Sequence, residues 1–334
     1  MKRLRIASTA AVILALFVVM LGAFTRLTDA GLGCPDWPGC YGQLVLPSAQ
    51  NELVKAQQTY PQTPIESRKA WTEMAHRYVA GTLVFLVVVI AIDVTRLRRQ
   101  GILLPRTLPV VLLLLMGFQA ALGMWTVTLK LLPVVVMGHL LGGILIFTCL
   151  CYFRWQLSGI TGQSLPHWRH WITLGFVIVL MQIALGGWVS SNYAGVACIG
   201  FPQCNGQWLP SFNFTQGFHL FSSLGANHQG GLLDHESRVT IQMVHRMGAV
   251  ITAIYVLLLA GCLGWRVRSG LIRFVALLTI VIVLLQFGLG VANVMYMLPL
   301  WVAVAHNGVA ALLLAAMASL RYLVSKGGVH VRRA

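Results

Sequence analysis

Residues 21–43 read LGAFTRLTDAGLGCPDWPGCYGQ, and residues 185–207 read LGGWVSSNYAGVACIGFPQCNGQ. Aligned at a constant offset with no gap, they pair Leu21-Gly22 with Leu185-Gly186 and Ala30-Gly31 with Ala194-Gly195. Cys34, Pro38, Cys40 and Gly42-Gln43 likewise meet Cys198, Pro202, Cys204 and Gly206-Gln207. The match continues downstream. Glu73-Met74-Ala75-His76-Arg77 returns as Gln242-Met243-Val244-His245-Arg246, Gln119 and Gly123 return as Gln286 and Gly290, and His139 returns as His306. Small residues coincide easily in apolar segments. Cysteine pairs, His-Arg pairs and later histidines in one order do not, so the chain is read as a duplication.

The segments between these landmarks decide the environment. Of 334 residues, 57% are hydrophobic and 10% charged, where a soluble domain carries about 25% charged residues. Eight apolar runs are countable, at 6–25, 71–94, 107–128, 134–153, 171–190, 239–263, 274–294 and 300–320. Runs near 20 residues are long enough to cross a bilayer as helices. The expected fold is therefore an all-α integral membrane protein of eight transmembrane helices. Each half is a four-helix bundle, and an even helix count makes the two parallel, related by a pseudo-two-fold along the membrane normal. The boundaries expected are 1–157, a linker at 158–169, and 170–334. The first 25 residues resemble a signal peptide, but their counterpart deep in the chain argues that they are retained.

Charge sets the orientation. The net charge is +16, yet no basic face interleaved with aromatics suggests nucleic acid. With a cytoplasmic N-terminus, inside segments collect 16 of the 24 basic residues, from Lys2 and Arg3 to Lys326, Arg332 and Arg333, with Asp93 as their single acid. Outside segments hold the other 8 basic residues and 7 acids. The positive-inside rule then puts both termini in the cytoplasm. The two long outer loops follow the first and fifth spans. The stretch Asn213–Arg238 is expected to form a cap over the bundle.

Four histidines, His76, His139, His245 and His306, lie inside apolar spans, each about six residues from the outer end. A lone membrane histidine commonly bonds a neighbouring helix. Four at one depth, on the even-numbered spans of both repeats, mark sites, because polar groups there are costly. Two histidines on facing helices suit a six-coordinate haem iron. Copper or zinc would want a third ligand at matching depth in both halves, and the sequence supplies none. His167, His170, His219, His228, His235 and His330 read as interfacial or solvated.

The halves differ at one telling place. Glu73 lies one turn before His76, where the second half has Gln242. It is either a partner for Arg77 and the neighbouring loop, or an acid-base group beside one haem pocket only. Arg77 and Arg246 follow their histidines and are candidates for haem propionates, though snorkelling to lipid headgroups would suit them too. Cys34 with Cys40 and Cys198 with Cys204 form two C-x5-C pairs in outer loops, where an oxidising compartment permits disulfides. A plain staple fits Cys198–Cys204, and a redox role for Cys34–Cys40 stays open. Cys149, Cys151 and Cys262 read as small apolar filler.

Together, E-x-x-H-R in the second span, His139 in the fourth, His245-Arg246 in the sixth, Ala305-His306-Asn307 in the eighth and the paired C-x5-C loops resemble the haem A synthase family. The likeness runs from about Leu21 to the end of the eighth span, and the cysteines in both loops look like its proteobacterial branch. The resemblance implies a bacterial inner-membrane oxidoreductase that oxidises a methyl group of haem O to the formyl group of haem A. It implies haem O as substrate on His76 and His139, haem B as cofactor on His245 and His306, and a catalytic Glu73. Partners implied by analogy are the farnesyltransferase that makes haem O and oxidase assembly factors, within membrane lipid. The strongest rival is a di-haem b quinone-linked electron-transfer subunit, which gives no reason for Glu73 in one half alone. A transporter or haem exporter is a third reading, disfavoured by ligand pairs at fixed depth.

Overall fold

The computed structural model describes residues 1–220 and 224–325. His330 and the basic residues Lys326, Arg332 and Arg333 lie outside the described residues. Each apolar run is one helix. In order they are α1 (Lys2–Leu27), α2 (Gln50–Thr59), α3 (Ser67–Arg99), α4 (Thr107–Thr128), α5 (Pro133–Gln156), α6 (Pro166–Ser191), α7 (Phe214–Gly217), α8 (His235–Arg266), α9 (Gly270–Met295) and α10 (Leu300–Leu323). All but α2 and α7 are long and apolar enough to cross a membrane. Those two short helices sit in the long loops and were not visible as hydropathy runs.

Most spans outrun their apolar cores. At 33 residues, α3 is about 50 Å long, against a hydrocarbon thickness of about 30 Å. Local chemistry sets the starts. Pro133 and Pro166 open α5 and α6, where a missing N–H costs nothing. The Asp234 carboxylate caps α8 by accepting the Ser237 N–H at 2.7 Å.

Within the first half, α1 packs on α3, α3 on α4, α4 on α5, and α5 back on α1. Helices α6, α8, α9 and α10 close the same ring. Between the rings α5 packs on α10, α1 on α10 and α6 on α5. Exchanging the halves maps each of these span contacts onto another, as a two-fold along the membrane normal requires. The largest inequality between equivalent pairs is that α3 and α4 pack less closely than α8 and α9.

The duplication reaches the backbone. Among the described residues, every non-glycine residue with positive φ belongs to an equivalent pair: Asp29 with Tyr193, Tyr41 with Asn205, Lys130 with Met297, and Leu131 with Leu298. Such conformations are costly, so their recurrence marks turns that both halves hold in the same way. Equivalent residues also meet across the axis, where the Tyr193 hydroxyl donates to Asp29 at 2.9 Å.

The packing is layered along the bundle. Towards the end carrying the N-terminus, Leu4, Ile90, Leu150, Phe153, Leu314 and Tyr322 fill a dry core. There the single acid among the basic clusters, Asp93, pairs with Arg3 at 3.1 Å. Phe17, Phe85, Leu114, Phe118, Leu258 and Trp301 point outward, an apolar exterior suited to lipid. Towards the loop end, the centres of both rings open into a cavity.

Candidate functional site

The cavity has a volume of about 1170 Å³ and is lined from both halves, more than the roughly 300–1,000 Å³ of an ordinary single-ligand pocket. His76, His139, His245 and His306 all line it. The structure thus brings the four histidines to one chamber, from α3, α5, α8 and α10.

In the first half the His76 and His139 rings stand 6.4 Å apart, centroid to centroid, at 77°. An imidazole nitrogen binds a first-row metal at about 2 Å, so two opposed rings at this spacing leave room for one metal centre between them. Nδ1 of His76, His139 and His306 is buried without a hydrogen-bond partner. Buried polar atoms are rarely left so, and these fit ligands that orient towards an added group. Among the described residues, no cluster of three or more His, Cys, Asp or Glu could hold a bare metal ion. Two axial imidazoles per half, in an apolar chamber, fit an iron whose other ligands come from a macrocycle.

Each imidazole is backed by a glycine on a neighbouring span. A Cβ added at Gly22 would lie 3.0 Å from His76 Cε1, and one at Gly186 would lie 3.1 Å from His245 Cε1. Gly123 and Gly290 stand in the same relation to His139 and His306, at 3.2 Å each. Gly186→Val is therefore expected to push the His245 ring out of place, and if the second histidine pair holds one of two haems, the haem retained after purification should fall to about half of wild type. Haem per chain by pyridine haemochromogen measures this, and an unchanged content would mean the glycine is mere filler.

Glu73 is buried and faces the cavity wall. Its Oε2 accepts the Cys34 backbone N–H at 2.9 Å, and its Oε1 pairs with the Arg77 guanidinium. Both readings of this residue meet here: it holds the loop and it lines the site. Its counterpart Gln242 donates to the Gly195 carbonyl at 3.3 Å and brings no charge.

Arg77 and Arg246 turn towards the cysteine loops. Arg77 donates to the carbonyls of Asp36 (3.1 Å), Pro38 (3.3 Å) and Gly39. Arg246 donates to those of Cys198 (2.5 Å), Gly200 (3.0 Å) and Gln203 (3.2 Å). In each half, then, the arginine after the histidine ties the loop to the helix that carries the ligand. Cys34 is bonded to Cys40 and Cys198 to Cys204. Burial, with the carboxylates of Glu66 and Asp36 nearby, raises the pKa of Tyr41 in the first loop, so its hydroxyl stays a donor, to the Pro64 carbonyl at 3.0 Å.

Sequence reasoning missed some of the lining. Arg26 reaches the cavity between the halves, its guanidinium 4.0 Å over the Tyr193 ring and donating to the Ser190 carbonyl at 2.6 Å. His228, expected to be solvated, is buried, because its segment folds over the α4–α5 turn and its N–H donates to the Lys130 carbonyl at 3.1 Å. His167, His170, His219 and His235 are exposed as expected. Cys149 and Cys151 are half-buried, whereas Cys262 faces outward.

Eight spans in two equivalent bundles, presenting paired histidines to one internal chamber, define a duplicated multi-pass membrane protein. The family model described as COX15-CtaA, cytochrome oxidase assembly protein, matches residues 5–318, and the chain belongs to that family. It is 43% identical to the heme A synthase of Shewanella oneidensis, over 92% of this chain and 93% of that protein. It is 30% identical to the heme A synthase of Granulibacter bethesdensis, over 93% of this chain and 85% of the relative. The heme A synthase of a Caulobacter species is 29% identical, over 94% of each chain.

Proposed function

We propose that the protein carries out haem A synthesis, oxidising the C8 methyl group of haem O stepwise to a formyl group for terminal cytochrome oxidases. The observation that carries the reading is an asymmetry within a duplication. Both halves offer a histidine pair, and only the first adds a buried carboxylate, Glu73, where the second has Gln242. His76 and His139 hold haem O in the first half, residues 1–157, and His245 and His306 hold haem B in the second, residues 170–334, with 158–169 as the linker.

When bound, haem B supplies one-electron redox chemistry beside the substrate. The chain's own residues do the rest. The histidine pairs fix each macrocycle across its half, and the apolar walls keep bulk water from the reacting carbon. Glu73, anchored by the Cys34 N–H, holds a carboxylate where protons must leave the methyl carbon or where positive charge develops. Arg77 and Arg246, held on the loop carbonyls, are the cations that would pair with haem propionates. The loops face the extracytoplasmic side of a bacterial inner membrane, with both termini cytoplasmic, as the basic residues require. The haem O-producing farnesyltransferase and oxidase assembly factors are the expected partners.

The test is expression in a host that supplies haem O, purification in detergent, and chromatography of extracted haems with mass detection. Haem B together with haem O and haem A is the expected content. Two copies of haem B with no conversion would make the protein an electron carrier instead.

A further inference from the structure

The two halves do not face the bilayer alike. Among the described residues, α1, α5, α6 and α10 pack across the halves, whereas α3, α4, α8 and α9 touch spans of their own half only. The α3–α4 and α8–α9 seams therefore lie away from the axis and face lipid. They are equivalent in the duplication but unequal in closeness. Helices α8 and α9 pack tightly, and α3 and α4 are the least closely packed of all the touching span pairs.

Side chains match that difference at one level of the seam. Gly81 of α3 and Ala120 of α4 both line the cavity and are exposed. A Cβ added at Gly81 would meet nothing within 4 Å. Their equivalents, counted from His245 and Gln286, are Val250 and Phe287. Phe287 stands edge-on to Phe201 of the second cysteine loop, ring centroids 6.4 Å apart, so α9 and that loop close on each other. In the first half the counterparts are Ala120 and Trp37, and Trp37 is exposed. Further from the loops the order of sizes reverses, with Val84 and Met116 against Ala253 and Val283. The gap is thus bounded below and confined to the level just beneath the histidines. It opens on the cavity in which Nδ1 of His76 and of His139 is buried without a partner.

We infer that the α3–α4 seam is a lateral window for the farnesyl tail of haem O, and that the sealed α8–α9 seam restricts the second half to a haem without one. The inference rests on the functional reading above, in which haem O occupies the first half and haem B the second. Haem O carries a long isoprenoid tail that haem B lacks. Such a tail is as apolar as the lipid around it, so a lipid-facing seam offers it no hydrophobic preference. What decides is whether it fits without a clash. Closely packed positions resist added bulk, and rejection by clash is a means of specificity in its own right. The open seam lets the tail run out of the chamber into the acyl region while the macrocycle stays between the histidines. Val250 and Phe287 deny that path in the second half.

The test uses the full-length protein from a host that supplies haem O, with extracted haems separated by chromatography with mass detection. Gly81→Val with Ala120→Phe gives the first seam the side chains of the second. Haem O plus haem A per chain should fall about tenfold, within the range that overpacking costs, while haem B is retained in full. The reverse change, Val250→Gly with Phe287→Ala, is made in the His76→Ala background, where the first half holds no haem O. There haem O should appear in the second half in place of haem B. A general packing defect would lower all haems together and would not exchange one for another. If the sealed protein does not accumulate, the opened one decides alone. Haem O within about twofold of wild type in the sealed protein overturns the inference, as does its absence from the opened protein, and either result leaves haem A synthesis standing. A wild type that carries haem B alone overturns both.

Discussion

Glu73→Gln should abolish haem A formation while haem O stays bound in the first half. Glutamine keeps the size of the side chain, and its Oε1 still accepts the Cys34 N–H that Glu73 now holds at 2.9 Å. What it removes is the charge, and with it the ability to take a proton, so the variant gives the first half the residue found in the second. General acid-base groups contribute about 10²–10⁴-fold to rate, so the haem A to haem O ratio in extracts should fall at least a hundredfold. Retained haem O separates a chemical defect from a binding defect. If the variant makes haem A at more than a tenth of the wild-type yield, Glu73 is a loop anchor through Cys34 and Arg77 and takes no part in the chemistry. Glu73→Ala is the harsher comparison, because it leaves the Cys34 N–H and the Arg77 guanidinium without their buried acceptor.

His245→Ala should have the second large effect, of another kind. Removing His245 from the half with the closer α8–α9 packing should strip haem B, and its share of the six-coordinate low-spin absorption, from the purified protein. Haem A should be lost too, since the partner cofactor is gone. Stability should fall as well: a ligand present at a thousandfold excess over its Kd adds about 4 kcal/mol to the folded state, and the variant forgoes that. His76→Ala makes the contrast, with haem B and its low-spin spectrum kept and haem O absent. Equal loss of haem B from both variants would show that the two sites do not divide as proposed.

Much of this was legible in the chain before any coordinates. Hydropathy located the eight spans because a bilayer admits few alternatives to a helix that satisfies its own backbone. The repeat around Cys34 and Cys198 fixed the parallel halves, and the four histidines stood out because polar groups inside apolar runs are rare. Glu73 against Gln242 was a visible asymmetry. The helices α2 and α7 were not legible, since short polar helices leave no apolar run, and His228 read as solvated because burial of a loop residue depends on what it folds against.

The sequence by itself determined the spans, the duplication, and the depth and order of the four histidines. These follow from local composition and period, which the chain carries residue by residue. Only the tertiary structure decided that Arg77 and Arg246 brace the loops, that a glycine stands behind each imidazole, and that His228 is buried over the α4–α5 turn. Those are contacts between segments far apart in the chain. Whether a glycine stands behind an imidazole is settled by how two helices pack, which neither helix carries alone.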